Sequence, residues 1–99
     1  MASVYILFSK EIDKFYIGSC NNLTQRLWEH NNKIYKNAFT GKANDWILFY
    51  SYENLDYQIA RKIEQHIKNM KSRIYYSNLV KYSEIMEKLI DKYKAGSCR

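Results

Sequence analysis

Phe15-Tyr16-Ile17-Gly18-Ser19-Cys20-Asn21-Asn22-Leu23-Thr24-Gln25-Arg26-Leu27 passes from an aromatic and β-branched run, through a glycine, into the start of a helix. Phe15 to Ile17 read as a strand. Gly18 at its end marks the close approach of another backbone or a ligand. Asn22, followed three residues later by Gln25, has the spacing of a capping box. It opens a helix that runs to about Asn32, with Leu23 and Leu27 one turn apart on its inner face. Arg26 and His30 lie four apart and so share one face of that helix, just behind its N-terminal turn.

Upstream, Val4-Tyr5-Ile6-Leu7-Phe8 has the same strand character, and the polar stretch Ser9 to Lys14 makes the two runs a β-hairpin. Downstream, Trp46 to Tyr52 form a third strand. All three runs are apolar at nearly every position, which predicts a sheet covered on both faces. Asn54 and Asp56 open a longer helix carrying Ile59, Ile63, Ile67 and Met70 at helical spacing. Lys68, Lys71 and Arg73 near its end suit the negative pole of the helix dipole. A short segment around Tyr75 to Lys81 leads to Ser83, the expected N-cap of a last helix. That helix is striped by Ile85, Met86, Leu89, Ile90 and Tyr93 and ends near Gly96. The order is ββαβαα: an α+β fold with a small three-stranded antiparallel sheet flanked by helices. At 99 residues, without proline or an evident linker, the chain is expected to form one domain over residues 1–99.

The net charge of +6 and the sequence pI of about 9.3 favour an anionic partner, for which nucleic acid is the common candidate. A merely solvated basic surface is the alternative, since no block of five like charges occurs. Two distant cysteines, Cys20 and Cys98, argue against a disulfide framework or a structural zinc site. The apolar run Val4 to Phe8 lacks a basic leader and is too short to cross a bilayer. The expected location is the cytoplasm, with no membrane partner.

The faces of the sheet decide whether Tyr5 and Tyr16 act together. If the hairpin loop has an even number of residues, opposed positions sum to an odd number such as 23 or 25, and both tyrosines project from one face. An odd loop separates them, and each is then an ordinary strand aromatic. Arg26 is suited to hold phosphate oxygens bidentately and to neutralise charge in an in-line displacement. Glu64 neighbours Ala60 and Ile67 on the helix wheel, at the border of core and solvent. It either pairs with Lys68 one turn on or holds a hard cation such as Mg²⁺.

Ser3-Val4-Tyr5, Tyr16-Ile17-Gly18 eleven residues after the first tyrosine, Arg26 and His30 on the next helix, and Glu64 on the long helix together resemble the GIY-YIG endonuclease family. The resemblance covers nearly the whole chain. It implies metal-dependent hydrolysis of nucleic-acid phosphodiesters, DNA before RNA, with Mg²⁺, or Mn²⁺ in its place, held by Glu64. In that scheme Arg26 stabilises the developing charge, Tyr5 or Tyr16 takes a proton from the attacking water, and His30 relays it. Gly18 lies at the substrate. The resemblance extends to Asn78, fourteen residues beyond Glu64, as a further site residue, with a helix-turn cap as its alternative. Lys42 and Thr40, in the polar stretch Lys33 to Asn44, are placed to touch a nucleic-acid backbone or simply to solvate a loop.

Two departures stand out. Serine replaces the glycine of the first tripeptide and valine its isoleucine, while the tyrosine is kept. Many members also carry a separate DNA-binding module, so target choice here falls to a protein partner or to nucleic-acid shape, or is absent. The rival functions are a nucleic-acid-binding module of the same fold without turnover, and a protein-interaction domain.

Overall fold

The computed structural model describes residues 2–31 and 45–97, and the side chains of residues 2–28 and 45–94 within them. Three strands, β1 (Ala2–Ser9), β2 (Lys14–Cys20) and β3 (Ile47–Leu55), form an antiparallel sheet in the order β2-β1-β3. The helices are α1 (Leu23–Asn31), α2 (Tyr57–Met70), α3 (Arg73–Lys81) and α4 (Ser83–Ser97). None of the described helices is long and apolar enough to cross a membrane.

The hairpin register answers the question the sequence left open. Tyr5 opposes Gly18 and Leu7 opposes Tyr16, so every pair in the β1–β2 ladder sums to 23. Tyr5, Leu7, Tyr16 and Gly18 therefore share one face. On that face Tyr5, Leu7, Cys20 and Trp46 are buried, and Ile12, Tyr16, Leu23 and Leu27 pack against them. Leu23 and Leu27 are the inner residues of α1. The opposite face carries the main core, in which Val4, Ile6 and Ile17 meet Ile59, Ala60, Ile63 and Ile67 of α2, Tyr76 and Leu79 of α3, and Met86 and Leu89 of α4. Each isoleucine of such a stripe contributes about 2–5 kcal/mol relative to alanine. The sheet is covered on both faces at its centre: β1 is buried from Ala2 to Leu7, whereas the edge strand β3 leaves Ile47 and Leu48 exposed.

Two of the predicted caps form, whereas Ser83, expected to cap the last helix, is instead the first residue of α4. The Asn22 side chain accepts from Gln25 N–H at 3.0 Å, and Asp56 accepts from Gln58 N–H at 3.1 Å at the start of α2. Four boundaries differ from the sequence reading. The third strand runs on to Leu55, with Asn54 in the left-handed region at φ 63°, so the helix begins after Asp56 alone. α2 stops at Met70, where Lys71 adopts a left-handed C-cap. Met70 is exposed rather than inward, because the last turn of α2 projects beyond the apolar stripe. The segment around Tyr75 to Lys81 is a full helix, α3, capped by Ser72, whose side chain accepts from Tyr75 N–H at 3.2 Å. The order is thus ββαβααα.

Long-range polar contacts fasten the hairpin turn. Ser9 is fully buried, and its hydroxyl donates to Asp45 Oδ1 at 2.5 Å; Asp45 Oδ2 accepts from Glu11 N–H at 2.9 Å. Arg73 at the start of α3 pairs with the Asp13 carboxylate at 3.0 Å, donates to the Asp13 carbonyl, and lies over the Phe15 ring. His66 Nδ1 and Tyr93 Oη, 3.0 Å apart, tie α2 to α4.

Candidate active site

Gly18 sits opposite Tyr5 with no unusual backbone conformation, so its reason is steric. A Cβ there would stand 2.5 Å from Tyr5 Oη and 2.6 Å from Cζ. The close approach at this glycine is that of the Tyr5 side chain, where the sequence pointed to another backbone or a ligand. Lying across Gly18, the ring carries its hydroxyl toward β2, the edge of the sheet. There a cleft of about 300 Å³ is lined by Tyr5, Tyr16, Gly18, Ser19, Arg26, Tyr57, Arg61, Glu64 and Lys68. Four elements supply it. β1 and β2 give the tyrosines, whose ring centroids are 6.4 Å apart; α1 gives Arg26; α2 gives Glu64 from the opposite face of the sheet. The bridge between the faces is Ser19, next to Gly18 but pointing the other way, whose hydroxyl donates to Glu64 Oε1 at 2.5 Å.

Electrostatics separate the two tyrosines. Tyr5 is 2 % exposed, and burial pushes its hydroxyl pKa well above the ordinary tyrosine value. The neighbouring Tyr16, Cys20 and Glu64 push it further up, while Arg26 pulls it down without compensating. The pull of the Arg26 guanidinium is outweighed by burial. Tyr5 is a proton holder. Tyr16 is half-buried at the cleft wall. On α2, Glu64 Oε2 pairs with Lys68 Nζ at 2.7 Å, and one turn earlier Arg61 donates to Tyr57 Oη at 3.1 Å with its guanidinium over the Tyr57 ring.

Two strand tyrosines, a helix arginine and a distal glutamate on one cleft reproduce spatially what the sequence spacing resembled, and a family model described as the GIY-YIG catalytic domain matches residues 1–79. The chain belongs to the GIY-YIG family. It is therefore of a nuclease family. It is also similar to the "UPF0213 protein in VLF1-GP41 intergenic region" of Autographa californica nuclear polyhedrosis virus, at 28% identity over 83 residues, covering 84% of this chain and 79% of that one. No solved structure matches it. The GIY-YIG match ends in α3, and α4 closes the main core from outside the matched residues.

Of the site residues expected from the sequence, Tyr5, Tyr16, Gly18, Arg26 and Glu64 come together in the cleft. His30 falls in the last turn of α1 with its side chain outside the described residues, and Lys42 and Thr40 lie outside them altogether. Asn78 is not brought to the cleft lining: it sits within α3, where its carbonyl accepts from Tyr82 N–H at 2.8 Å. Its backbone, rather than its side chain, helps end that helix. A larger groove of about 660 Å³ between β3, α2 and α4 contains none of the expected residues.

Ser19, Tyr57 and Arg61 were missed. Their signals were available: Tyr57 and Arg61 precede Glu64 by seven and three residues, on the same helix face, and Ser19 alternates with Gly18. Lys68, anticipated only as a neutralising partner of Glu64, does pair with it and also lines the cleft.

Proposed function

We propose that the cleft hydrolyses phosphodiester bonds of nucleic acid, DNA in preference to RNA, with Mg²⁺ or Mn²⁺ held by Glu64, in the cytoplasm during repair, recombination or mobile-element processing. The observation that carries this reading is the convergence of Tyr16, Arg26 and Glu64 from three separate elements on one cleft about 300 Å³ in volume.

The donor set fits such a cation. Glu64 is the acidic residue of the cleft lining, and no group of three or more His, Cys, Asp or Glu side chains among the described residues could cage a metal. A lone carboxylate suits a hard cation that keeps most of its waters and shares substrate phosphate oxygens. When bound, the cation supplies positive charge to the leaving oxygen. The other steps fall to side chains. Arg26, behind the N-terminal turn of α1, binds the non-bridging oxygens and offsets the charge that grows on them. Tyr5 keeps its proton and donates a hydrogen bond into the cleft. Tyr16, the more accessible of the pair, takes the proton of the attacking water, and His30 is assigned to pass it to solvent. Target choice rests on nucleic-acid shape or on a protein partner.

The test is incubation with supercoiled plasmid and with branched DNA in Mg²⁺ or Mn²⁺, beside Glu64→Gln and Arg26→Ala. Both substitutions are expected to lower cleavage by roughly a hundredfold to a thousandfold with the thermal midpoint unchanged. Cleavage that survives in Glu64→Gln removes Glu64 from the reaction. Salt-dependent DNA binding without products at any metal concentration replaces the nuclease with a binding module.

A further inference from the structure

Both oxygens of the Glu64 carboxylate are already engaged: Ser19 Oγ donates to Oε1 at 2.5 Å, and Lys68 Nζ sits at 2.7 Å from Oε2. The two partners differ in kind. Ser19 comes from β2 and is half-buried; a hydroxyl hydrogen bond to one lone pair leaves a carboxylate able to bind a cation. Lys68 comes from the next turn of α2, its side chain 41% exposed against 16% for Glu64, so the ammonium covers the carboxylate from the solvent side of the cleft. That is the side from which a hydrated cation and a phosphate arrive.

We propose that Lys68 is an exchangeable counter-cation of the site: its ammonium occupies the cation's place on Glu64, yields when a divalent cation binds, and moves onto the phosphate backbone of the nucleic acid. The assignment rests on the reading of Glu64 as the metal-holding residue. The i,i+4 pair is a weak tie, because a long, partly exposed side chain loses rotamer freedom for a screened attraction. A compact ammonium on a flexible four-carbon stem is suited to leave and re-bind within a few ångströms. Arg61 is less free to play this part, since its guanidinium is bonded to Tyr57 Oη and lies over that ring. Once displaced, the ammonium would share the cleft with Arg26 and Arg61, where a polyanion relieves the repulsion. Lys68 therefore opposes metal binding in the DNA-free protein and supports DNA binding in the metal-loaded one.

The test measures both ligands on the full chain. Mn²⁺ binding without DNA is followed by the electron paramagnetic resonance of free Mn²⁺ for wild type, Lys68→Met, Lys68→Gln, Glu64→Gln and the Glu64→Gln/Lys68→Met double variant. Binding to a phosphorothioate duplex is followed in Ca²⁺ across a salt series. Both Lys68 variants are expected to bind Mn²⁺ about tenfold more tightly, since a positive charge beside the ion is removed. Both Glu64→Gln proteins should lose the site. The same Lys68 variants should bind the duplex more weakly, with a salt slope lower by about one. Opposite signs on the two ligands are the signature, because a purely structural lysine would weaken both or neither. Mn²⁺ affinity that is unchanged or reduced in Lys68→Met and Lys68→Gln overturns the exchange. A wild type that binds Mn²⁺, is tightened by Lys68→Met and cuts nothing keeps the exchange and overturns the nuclease reading. A wild type that cuts while its Mn²⁺ affinity ignores Lys68 does the reverse.

Discussion

The β1–β2 hairpin carries the same bond at its two ends. At the turn, the buried Ser9 hydroxyl donates to Asp45 at 2.5 Å; at the open end, Ser19 donates to Glu64 at 2.5 Å. The remaining oxygen tells them apart. Asp45 gives its second oxygen to the backbone N–H of Glu11, a partner fixed by the turn, and Arg73 clamps the same turn through Asp13. Glu64 gives its second oxygen to a lysine that solvent can reach. A carboxylate whose partners are both built into the backbone and core is an anchor. One whose second partner is a flexible ammonium keeps an oxygen that another cation can compete for. The chemistry of the pair is shared, and on the proposed reading of Glu64 it is exchangeability that separates the two ends.

Gly18→Ala at the open end gives the largest expected departure. The added methyl must push aside an almost fully buried Tyr5 ring, moving its hydroxyl within the cleft. A shift of about 1 Å is expected to cost roughly a hundredfold in cleavage, and the overpacking about 1–3 kcal/mol of stability, read as a lower thermal midpoint. Wild-type cleavage in this variant would show that the Tyr5 hydroxyl does not belong to the reaction.

Removing the serine at each end tests the contrast directly. Ser19→Ala is expected to lower Mn²⁺ affinity and cleavage by about tenfold, because the hydroxyl orients the carboxylate. Ser9→Ala is expected to cost about 1 kcal/mol of stability in urea unfolding and to leave cleavage within about twofold. Equal losses of cleavage in the two variants would erase the distinction between anchor and site.

The smallest effect is a pH dependence at the turn. The hydrogen bond from Ser9, and then that from Glu11 N–H, hold the Asp45 carboxyl below the ordinary carboxylate range. Because the folded pKa is the lower one, the stabilisation is complete above the unfolded value near pH 4 and is lost as pH falls through the folded value. Acid unfolding of Asp45→Asn should accordingly be shallower below about pH 4 than that of the wild type. An identical acid limb would mean that Asp45 is not the titrating anchor.

What could be read in the chain was local or periodic. Asn22 and Asp56 identify their helix starts because a cap needs only the next two or three residues. The α2 stripe Ile59, Ile63 and Ile67 is buried as its spacing demands. α3 was harder to see: Ile74 and Val80 are exposed and only Tyr76 and Leu79 are buried, so its apolar residues trace no clean stripe. Asn78 lies outside the cleft lining, and counting from Glu64 carries no information about the turn between α2 and α3, where Lys71 adopts a left-handed conformation.

By itself the sequence determined the hairpin, the helix starts at Asn22 and Asp56, and the family to which the chain belongs. It also made a shared face for Tyr5 and Tyr16 conditional on an even loop. Only the tertiary structure selected the register that opposes Tyr5 to Gly18, and so turned the first tyrosine into a buried proton holder. Only it brought Glu64 around the sheet edge to Ser19, forty-five residues away in the chain. The reason is physical: caps and stripes are set by neighbours along the chain, whereas burial and long-range hydrogen bonds are set by which faces the packed sheet and helices leave beside one another.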